Sequence, residues 1–542
     1  MFILFLILGL LCLAGGVYFS FVKLKAFCQN HKAVKLLKND FLYLGLECAL
    51  FAVSGLLLQL AIQMGFGWEM KAWEIALSLI GAFLFMGLFG AFWLSFVIKH
   101  YKADFDTKQG KINRILIYVL ALLALGGFLM LGEGVANHLV YPLVSGFSIG
   151  SDGFQWARQG KASGNFHIAW YALCILLGAV LAYKIADHNF YKEFKKHGII
   201  DSLFVIALIG GILGARIWYV VGNFEGDVSS TSSGFAEQIT QGNWFSMFQI
   251  WKGGLTILGG AVAGIIVGMV YMTKKRKYVD LRFAVDACVP TILLAQAIGR
   301  WGNFFNYEVY GMEVSVSSFS WLPTWIRYQM ATSFSGGMPS STTMYVPLFL
   351  IEGVVNIVGY FVIAKLVPFL WPESKGRAKG DLAGFYLAWY GIVRLILEPL
   401  RDSNFNMGTN GMWSIWNSLI YIILGIFVVC VFQLLALYEK KKGLPDQSKT
   451  YSIFYMILET GFFGIGVWFT IDGALKMNGS HGPAYVFVFV LGLILMVADG
   501  LLFYRSLKRF KGLPTPPLVE VDNGKSKLED DSKKTGDNNK EE

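Results

Sequence analysis

Three arginines stand inside long apolar stretches of the sequence, where a charged side chain needs a chemical reason. They are Arg216 in GGILGARIWY, Arg300 in AIGRWGNFFN and Arg394 in WYGIVRLILEPLR. A charge inside a membrane span is costly, and the guanidinium group matches phosphate oxygens in geometry and charge. A single arginine of this kind would most simply reach toward water. Three on separate stretches predict a shared anion instead, for which a phospholipid headgroup is the obvious candidate.

The densest polar group surrounds one of these arginines. Between Gly299 and Gly311 the chain reads GRWGNFFNYEVYG, with Arg300, Asn303 and Asn306 each three residues apart. Side chains at that spacing share one face of a helix. Glu308 follows directly, where it could pair with an arginine or accept a proton. A binding site is the favoured interpretation, and a structural ion pair with a helix cap is the alternative.

The composition indicates the elements that must carry these residues. Of 542 residues, 55% are apolar and only 15% charged, and the mean hydropathy is +0.54. Soluble domains are typically about 25% charged, so a soluble multidomain enzyme and a disordered chain are both excluded. The net charge of +10 is expected to reflect the loops of a membrane protein, so no nucleic-acid partner is predicted. The six cysteines are widely spaced without a CxxC pair, so no metal or redox cofactor is predicted.

Apolar runs long enough to cross a bilayer recur along the chain. Such runs form helices, because lipid cannot satisfy an open backbone. The sequence therefore predicts an all-α polytopic integral membrane protein with about thirteen transmembrane helices. The runs are 2–22, 41–66, 73–98, 115–132, 167–187, 201–222, 253–273, 283–304, 343–365, 382–402, 410–438, 451–471 and 484–504.

Lysine and arginine collect in alternate loops, which predicts the orientation. Clusters such as 274–277 and 440–442 alternate with loops that hold few basic residues. The positive-inside rule then puts the N-terminus outside and the C-terminus inside. Arg216, Arg300 and Arg394 fall in the outer half of the membrane in this topology. The first run has its lysines after it, which indicates a retained span and not a cleaved signal.

Glycines cluster near the arginines. Gly254, Gly259 and Gly260 open one apolar run, and Gly214 precedes Arg216. Glycine lets helices, or a ligand, approach the backbone closely. Both interpretations remain open, and helix packing is the commoner cause.

The stretch 299–311 resembles the signature of the prolipoprotein diacylglyceryl transferases, G-R-x-G-N-F-x-N-x-E-x-x-G, with every specified position filled. Further similarities follow in the family's order. They are Trp170-Tyr171, Gly214-Ala215-Arg216 with Tyr219, the double-glycine segment Lys252–Gly260, Asp381–Gly384, Trp389-Tyr390-Gly391, and the pattern Arg394, Glu398, Arg401.

The resemblance covers roughly Pro142 to Gly443 and implies a division of the chain. Residues 142–443 would form a seven-helix transferase core. A four-helix membrane extension, 1–141, would precede it. A two-helix membrane extension, 444–512, and a disordered cytoplasmic tail, 513–542, would follow it.

The resemblance also implies a reaction. A diacylglyceryl group would pass from phosphatidylglycerol to the lipobox cysteine of a prolipoprotein signal peptide, in a bacterial plasma membrane, with the site toward the outer leaflet. Arg300 and Arg394 would hold the phosphate, and Tyr171 and Glu308 would orient groups or relay the proton. The implied substrate-binding residues are Asn303, Asn306, Arg216, Gly254, Gly259, Gly260, Tyr390 and Gly311.

One departure bears on this chemistry. The family usually has a histidine just before the second glycine pair, and Leu258 stands there. No histidine base is therefore carried over, and the proton acceptor stays unassigned. The alternatives are an anion or lipid transporter that uses the three arginines, or a lipid-binding relative without catalysis.

Overall fold

The protein is predominantly helical. A computed structural model describes residues 2–30, 38–102, 108–150, 153–157, 166–195, 198–224, 234–248, 254, 256–274, 280–405, 412–443, 450–476 and 482–511. The helices are α1 Phe2–Asn30, α2 Lys38–Phe66, α3 Ala72–Lys102, α4 Lys108–Val135, α5 Trp170–Phe194, α6 Asp201–Gly222, α7 Phe235–Thr240, α8 Ile257–Lys274, α9 Leu281–Cys288, α10 Ile292–Asn306, α11 Thr324–Gln329, α12 Leu348–Phe361, α13 Val367–Leu370, α14 Asp381–Leu397, α15 Met412–Lys442, α16 Thr450–Lys476 and α17 Gly482–Lys511.

Seven short strands accompany the helices in the described residues, which the all-α prediction did not anticipate. They are β1 Gly146–Gly150, β2 Gly153–Ala157, β3 Phe166–Ala169, β4 Glu313–Ser315, β5 Phe334–Ser335, β6 Met338–Pro339 and β7 Thr343–Tyr345.

Within the described residues, nine helices are long and apolar enough to cross a membrane. Three shorter apolar helices lie at Phe2–Tyr18, Ala72–Leu88 and Gly259–Met272. The chain is thus a multi-pass membrane protein. Every predicted apolar run overlaps a helix, while the count of thirteen spans and their orientation stay predictions.

Several predicted boundaries differ from the helices, and three of them bear on the site. The run 253–273 becomes helical only at Ile257, and the run 343–365 begins with strand β7 before α12 starts at Leu348. The run 382–402 ends as an α-helix at Leu397 and continues as a short 3-10 turn, Glu398–Leu400. The predicted disordered tail, 513–542, lies outside the described residues.

The chain forms two compact units. The first comprises 1–147, 154–163 and 304–347, and the second comprises 148–153, 164–303 and 348–542. The helices of the predicted N-terminal extension therefore belong to one unit with the segment that follows the signature helix α10. The domain division inferred from the resemblance, which separated these parts, stays a prediction.

Close glycine contacts join helices in the second unit. A Cβ built on Gly384 of α14 would lie 2.6 Å from the carbonyl oxygen of Gly425 on α15. A Cβ on Gly259 of α8 would likewise lie 2.6 Å from the carbonyl oxygen of Gly214 on α6. Small residues at such crossings let two helix backbones pack closely in lipid.

The C-terminal helix pair also contacts a part of the second unit outside its own hairpin. Tyr485 near the start of α17 meets Phe224 edge to face, with ring centroids 5.6 Å apart. Ile239 of α7 and Ala484 are buried in the same cluster. The segment after α6 therefore packs against α17.

Candidate functional site

Arg300 forms a buried ion pair with a residue from another helix. Its Nη2 donates to Oε1 of Glu352, which lies on α12. The carboxylate is almost fully buried, whereas the guanidinium keeps some exposure. A buried charge needs a partner of this kind, so Arg300 is held in a fixed place.

Arg394 and Arg401 share a second carboxylate. Arg394 Nη2 lies 3.0 Å from Oε2 of Glu398, and Arg401 Nε lies 3.6 Å from the same oxygen. Arg394 Nη2 also donates to Oγ of Ser414 on α15, at 3.2 Å. Glu398 is buried in the turn that ends α14. One carboxylate therefore orients two cations.

The two ion pairs interact with each other. Arg401 interacts electrostatically with Arg394 and Glu398, and also with Glu352 and Arg300. We call these five residues, Arg300, Glu352, Arg394, Glu398 and Arg401, the arginine–carboxylate cluster. Three guanidinium groups against two carboxylates leave an excess positive charge, which suits the cluster to bind an anion.

Asn303 lies on the helix that carries Arg300, and Tyr171 packs against that helix. Asn303 is buried one turn after Arg300 on α10. A Cβ built on Gly302 would lie 2.4 Å from Cδ2 of Tyr171, so the tyrosine ring rests on the α10 backbone. Glycine at 302 is therefore required for this contact. The structure places Tyr171 against the helix that carries Arg300 and Asn303, and the roles of all three residues stay predictions.

Tyr390 stands one turn before Arg394 on α14. Its ring meets Tyr421 of α15 edge to face, with centroids 5.2 Å apart, and stacks on Tyr386 at 6.5 Å. The tyrosine thus borders the same helix face as Arg394. Its predicted contact with substrate is not decided by these ring contacts.

Arg216 uses its donors differently from the other predicted arginines. Its Nε donates to the carbonyl of Met247 at 2.8 Å, and its Nη1 donates to the carbonyl of Gly254 at 3.1 Å. Its guanidinium carbon lies 5.5 Å from the ring centroids of both Tyr219 and Phe235. Arg216 therefore holds the segment between α6 and α8, and its contact with phosphate stays a prediction.

The predicted glycines serve backbone packing. Gly254 has φ +70°, and a Cβ there would lie 2.4 Å from Cε1 of Tyr219. Gly259 and Gly260 face α6. Helix packing was one of the two roles that the sequence left open for these glycines. A direct contact of these glycines with substrate stays a prediction. The side chain of Leu258, at the position of the family histidine, lies outside the described residues.

The last signature residues belong to the first compact unit. Asn306 Nδ2 donates to Oε1 of Glu308 at 3.2 Å, and the Gly311 amide donates to the carbonyl of Val346 at 2.9 Å. Tyr307 and Val309 both adopt positive φ, at 52° and 55°. A β-branched residue rarely takes this conformation, and such strain clusters at functional sites.

The Tyr307 phenol anchors this strained turn. It donates to the carbonyl of Ala331 at 2.5 Å. Burial, and then the neighbouring Tyr345 and Tyr310, raise the pKa of this phenol well above its ordinary value. It therefore stays protonated and keeps donating at physiological pH.

Several site residues were not assigned from the sequence. Glu352 was noticed only as a carboxylate in an apolar run, and Glu398 and Arg401 only as parts of a family pattern. The available signal was the energetic cost of a carboxylate inside a membrane. Such a carboxylate generally has a cationic partner. Within the described ranges, no three His, Cys, Asp or Glu side chains come together as metal ligands.

The fold and this cluster define a class of protein. It is a multi-pass membrane protein with an arginine–carboxylate cluster of excess positive charge among apolar helices. Residues 161–431 match the family model of the prolipoprotein diacylglyceryl transferases.

Curated relatives agree with this match, and each is named phosphatidylglycerol–prolipoprotein diacylglyceryl transferase. The protein of Streptococcus suis is 35% identical over 284 residues, which are 52% of this chain and 92% of that protein. Those of Streptococcus pneumoniae and Streptococcus uberis are 34% and 36% identical over 284 residues, covering 94% and 95% of their lengths. The chain belongs to the prolipoprotein diacylglyceryl transferase family, and is thus a transferase with segments beyond the matched part.

Proposed function

We propose that this protein transfers the diacylglyceryl group of phosphatidylglycerol to the lipobox cysteine of prolipoproteins. A bond forms between the cysteine sulfur and the glyceryl carbon, while the bond from that carbon to the phosphate oxygen breaks. The electron pair leaves with glycerol phosphate, and the thiol proton passes to an acceptor. The product is a thioether. The observation that carries this proposal is the arginine–carboxylate cluster within a chain of this family.

The cluster suits the charge that develops in this reaction. The leaving phosphate gains negative charge in the transition state, and preorganised cations lower the barrier most when they are already oriented. Glu352 and Glu398 hold Arg300 and Arg394 in place before substrate arrives. Arg300 and Arg394 would then bind the phosphate, with Arg401 adding charge behind them.

The nucleophile must lose a proton. A free thiol has a pKa of about 8.5, and nearby cations lower it. The cluster's excess positive charge would favour the thiolate form of the lipobox cysteine. Tyr171 and Glu308 would orient groups or relay the proton, Asn303 would bind glycerol oxygens, and Asn306, Tyr390 and Gly311 would complete substrate binding.

We place the site in the outer half of a bacterial plasma membrane. The alternation of basic loops supports thirteen spans with the N-terminus outside and the C-terminus inside. A lipid would enter sideways from the outer leaflet, and a signal-peptide helix would present its cysteine at the same surface.

Two rival functions give different outcomes in one experiment. The full-length chain is expressed in cells depleted of their own transferase, and lipidation of a reporter prolipoprotein is followed. We expect lipidation to be restored. A chain that fails to restore it, yet moves an anion across liposomes after purification, would be a transporter. A chain that does neither but binds phosphatidylglycerol would be a non-catalytic relative.

A further inference from the structure

A short helix links the N-terminal helices to the segment after the signature. Helices α1–α4 precede residue 161, where the family match begins. At the end of α4, Glu133 accepts two hydrogen bonds from Thr324, the first residue of α11. The Thr324 amide and Oγ1 each lie 2.6 Å from a Glu133 carboxylate oxygen. A carboxylate that caps a helix in this way fixes both its position and its direction.

An aromatic side chain of α11 fills the space between α4 and the end of α10. Trp325 meets Phe128 of α4 and Phe304 of α10 edge to face, with ring centroids 5.5 Å apart in both pairs. A Cβ built on Gly132 would lie 2.7 Å from Nε1 of Trp325. The ring is therefore in contact with the α4 backbone, and any larger residue at 132 would displace it.

A fully buried glutamine makes the same connection through hydrogen bonds. Gln329, with 0% of its surface exposed, accepts from the Leu143 amide at 2.6 Å. Its Nε2 donates to the Phe304 carbonyl at 2.9 Å. Phe304 lies in the last turn of α10, two residues before Asn306. One side chain thus joins the segment that directly follows the N-terminal helices to the signature.

We propose that the N-terminal helices position the end of the signature through α11. Glu133, Trp325 and Gln329 are positioning residues for residues 304–311, where Asn306 and Glu308 lie. The expected effect of these residues on turnover rests on the proposed transfer reaction. The N-terminal helices then serve the reaction without contacting substrate themselves.

The test uses the full-length chain with Gln329→Leu, which removes both hydrogen bonds at nearly constant volume. Misplacement of catalytic groups by about 1 Å can cost up to ~100-fold in rate. We expect kcat to fall roughly 10- to 100-fold, with the affinity for phosphatidylglycerol within twofold, and faster amide exchange at 304–311.

Gly132→Leu, which displaces Trp325, should act in the same direction. Ser54→Ala, which removes a bond from α2 to the Gly9 carbonyl of α1, is the control.

Unchanged exchange at 304–311, or unchanged kcat despite faster exchange, would refute the positioning role. Equal losses in kcat and in phosphatidylglycerol affinity would also refute it, because they indicate general damage. If Gln329→Leu does not accumulate, Thr324→Val decides the same question. It removes the Oγ1 bonds to Glu133 and from Arg327 while keeping the amide bond to Glu133. An inactive wild-type chain would instead refute the proposed function, while the exchange measurement still tests the link.

A second, independent observation concerns buried polar atoms between α10, α12 and α14. Arg300 pairs with Glu352, a Cβ on Gly353 would lie 3.6 Å from the Ala297 carbonyl, and Leu293 packs with Tyr360. The contacts thus run antiparallel along α10 and α12. This register places Gln296 opposite Asn356, one helical turn of about 5.4 Å from Arg300.

Several buried polar atoms near Gln296 and Asn356 lack hydrogen-bond partners among the described residues. Asn356 is 1% exposed, and neither its Nδ2 nor its Oδ1 has a hydrogen bond. The same holds for Oε1 of Gln296 and Nε1 of Trp389, the latter beside Gly359 of α12. Buried polar groups nearly always have a partner, so these atoms point to a ligand.

We infer that Asn356 and Trp389 donate hydrogen bonds to the ester carbonyls of the diacylglyceryl group. Those carbonyls follow the phosphate at the boundary with the acyl chains. Asn356 lies about one helical turn along α12 from Glu352, the partner of Arg300, and Trp389, beside Gly359, lies about two turns from it. The site would therefore distinguish ester-linked from ether-linked lipids. This inference also rests on the proposed function, since it concerns the same lipid.

Binding and turnover are compared for diester and diether phosphatidylglycerol of equal chain length. Loss of one buried hydrogen bond is worth about tenfold. We expect the wild type to favour the diester, and Asn356→Leu to reduce that preference roughly tenfold while the Trp389 bond remains. Asn189→Leu, whose amide already donates to the Ala287 carbonyl, should keep the full preference. A wild type without the preference, or an Asn356→Leu variant with an undiminished preference, would refute the subsite. Since binding is also measured, an inactive chain still decides this question.

Discussion

Replacing Arg300 or Arg394 with glutamine should reduce lipidation of a reporter prolipoprotein roughly 100- to 1000-fold. This is the usual cost of removing one oriented donor from a developing anion. Glutamine keeps a hydrogen-bond donor but loses the charge that the leaving phosphate requires. The measurement is the lipidated fraction of the reporter per amount of folded protein in membranes.

A buried arginine elsewhere provides the matched control. Arg282 Nη2 donates to Glu439 at 3.0 Å, and both side chains are buried. Arg282→Gln also breaks a buried ion pair, but outside the arginine–carboxylate cluster. We expect it to lower stability while leaving turnover per folded molecule unchanged. Lipidation near the wild-type level in both Arg300→Gln and Arg394→Gln would refute the assignment of these arginines.

Replacing Glu398 with alanine should have a comparably large effect. Its carboxylate is the ion-pair partner of both Arg394 and Arg401, so its loss leaves both guanidinium groups without that partner. Breaking a buried ion pair costs about 3–5 kcal/mol of unfolding free energy. We expect a lower melting temperature in detergent and a loss of transfer at least as large as that of Arg394→Gln. Glu398→Gln, which keeps the shape, should lose less stability than alanine.

Glu373 provides the comparison for this prediction. It pairs with Arg377, four residues later in the chain, at 3.1 Å, but its side chain is half exposed. Exposed pairs typically contribute about 0–1 kcal/mol, so Glu373→Ala should leave stability and transfer nearly unchanged. Equal melting temperatures for the Glu398→Ala and Glu373→Ala proteins would show that Glu398 does not balance the cluster.

The helices, and the arginines that lie within them, were predictable from the sequence. Apolar runs in lipid permit few structures besides helices, and charges within them are conspicuous. Arg300 and Asn303 are three residues apart, which placed them correctly on one face of α10. The contact between Tyr171 and α10 was not predictable, because no local pattern links residues so far apart in sequence.

The partners of the arginines were not predictable. The pairing of Arg300 with Glu352 depends on the register between α10 and α12, which hydrophobicity does not determine. Arg216 was grouped with the other arginines because of its depth, yet it donates to the carbonyls of Met247 and Gly254. Sequence alone does not distinguish an arginine that donates to backbone carbonyls from one that is available to bind a ligand.

The contacts of the N-terminal helices were also not predictable from the sequence. Their link to the signature runs through α11, a six-residue helix too short for a periodic signal. Gln329 and Trp325 lie in a stretch without long apolar runs, so nothing local indicates that they are buried. Contacts between distant segments decide this arrangement.

The central claim is that Arg300 and Arg394 hold the phosphate of a lipid. Cryo-electron microscopy of the full-length protein in phosphatidylglycerol nanodiscs tests it most directly. We expect a lipid phosphate within about 3 Å of both guanidinium groups, which is hydrogen-bond distance. A structure in which both arginines contact only Glu352, Glu398 and Ser414, with the lipid phosphate bound elsewhere, would contradict the claim.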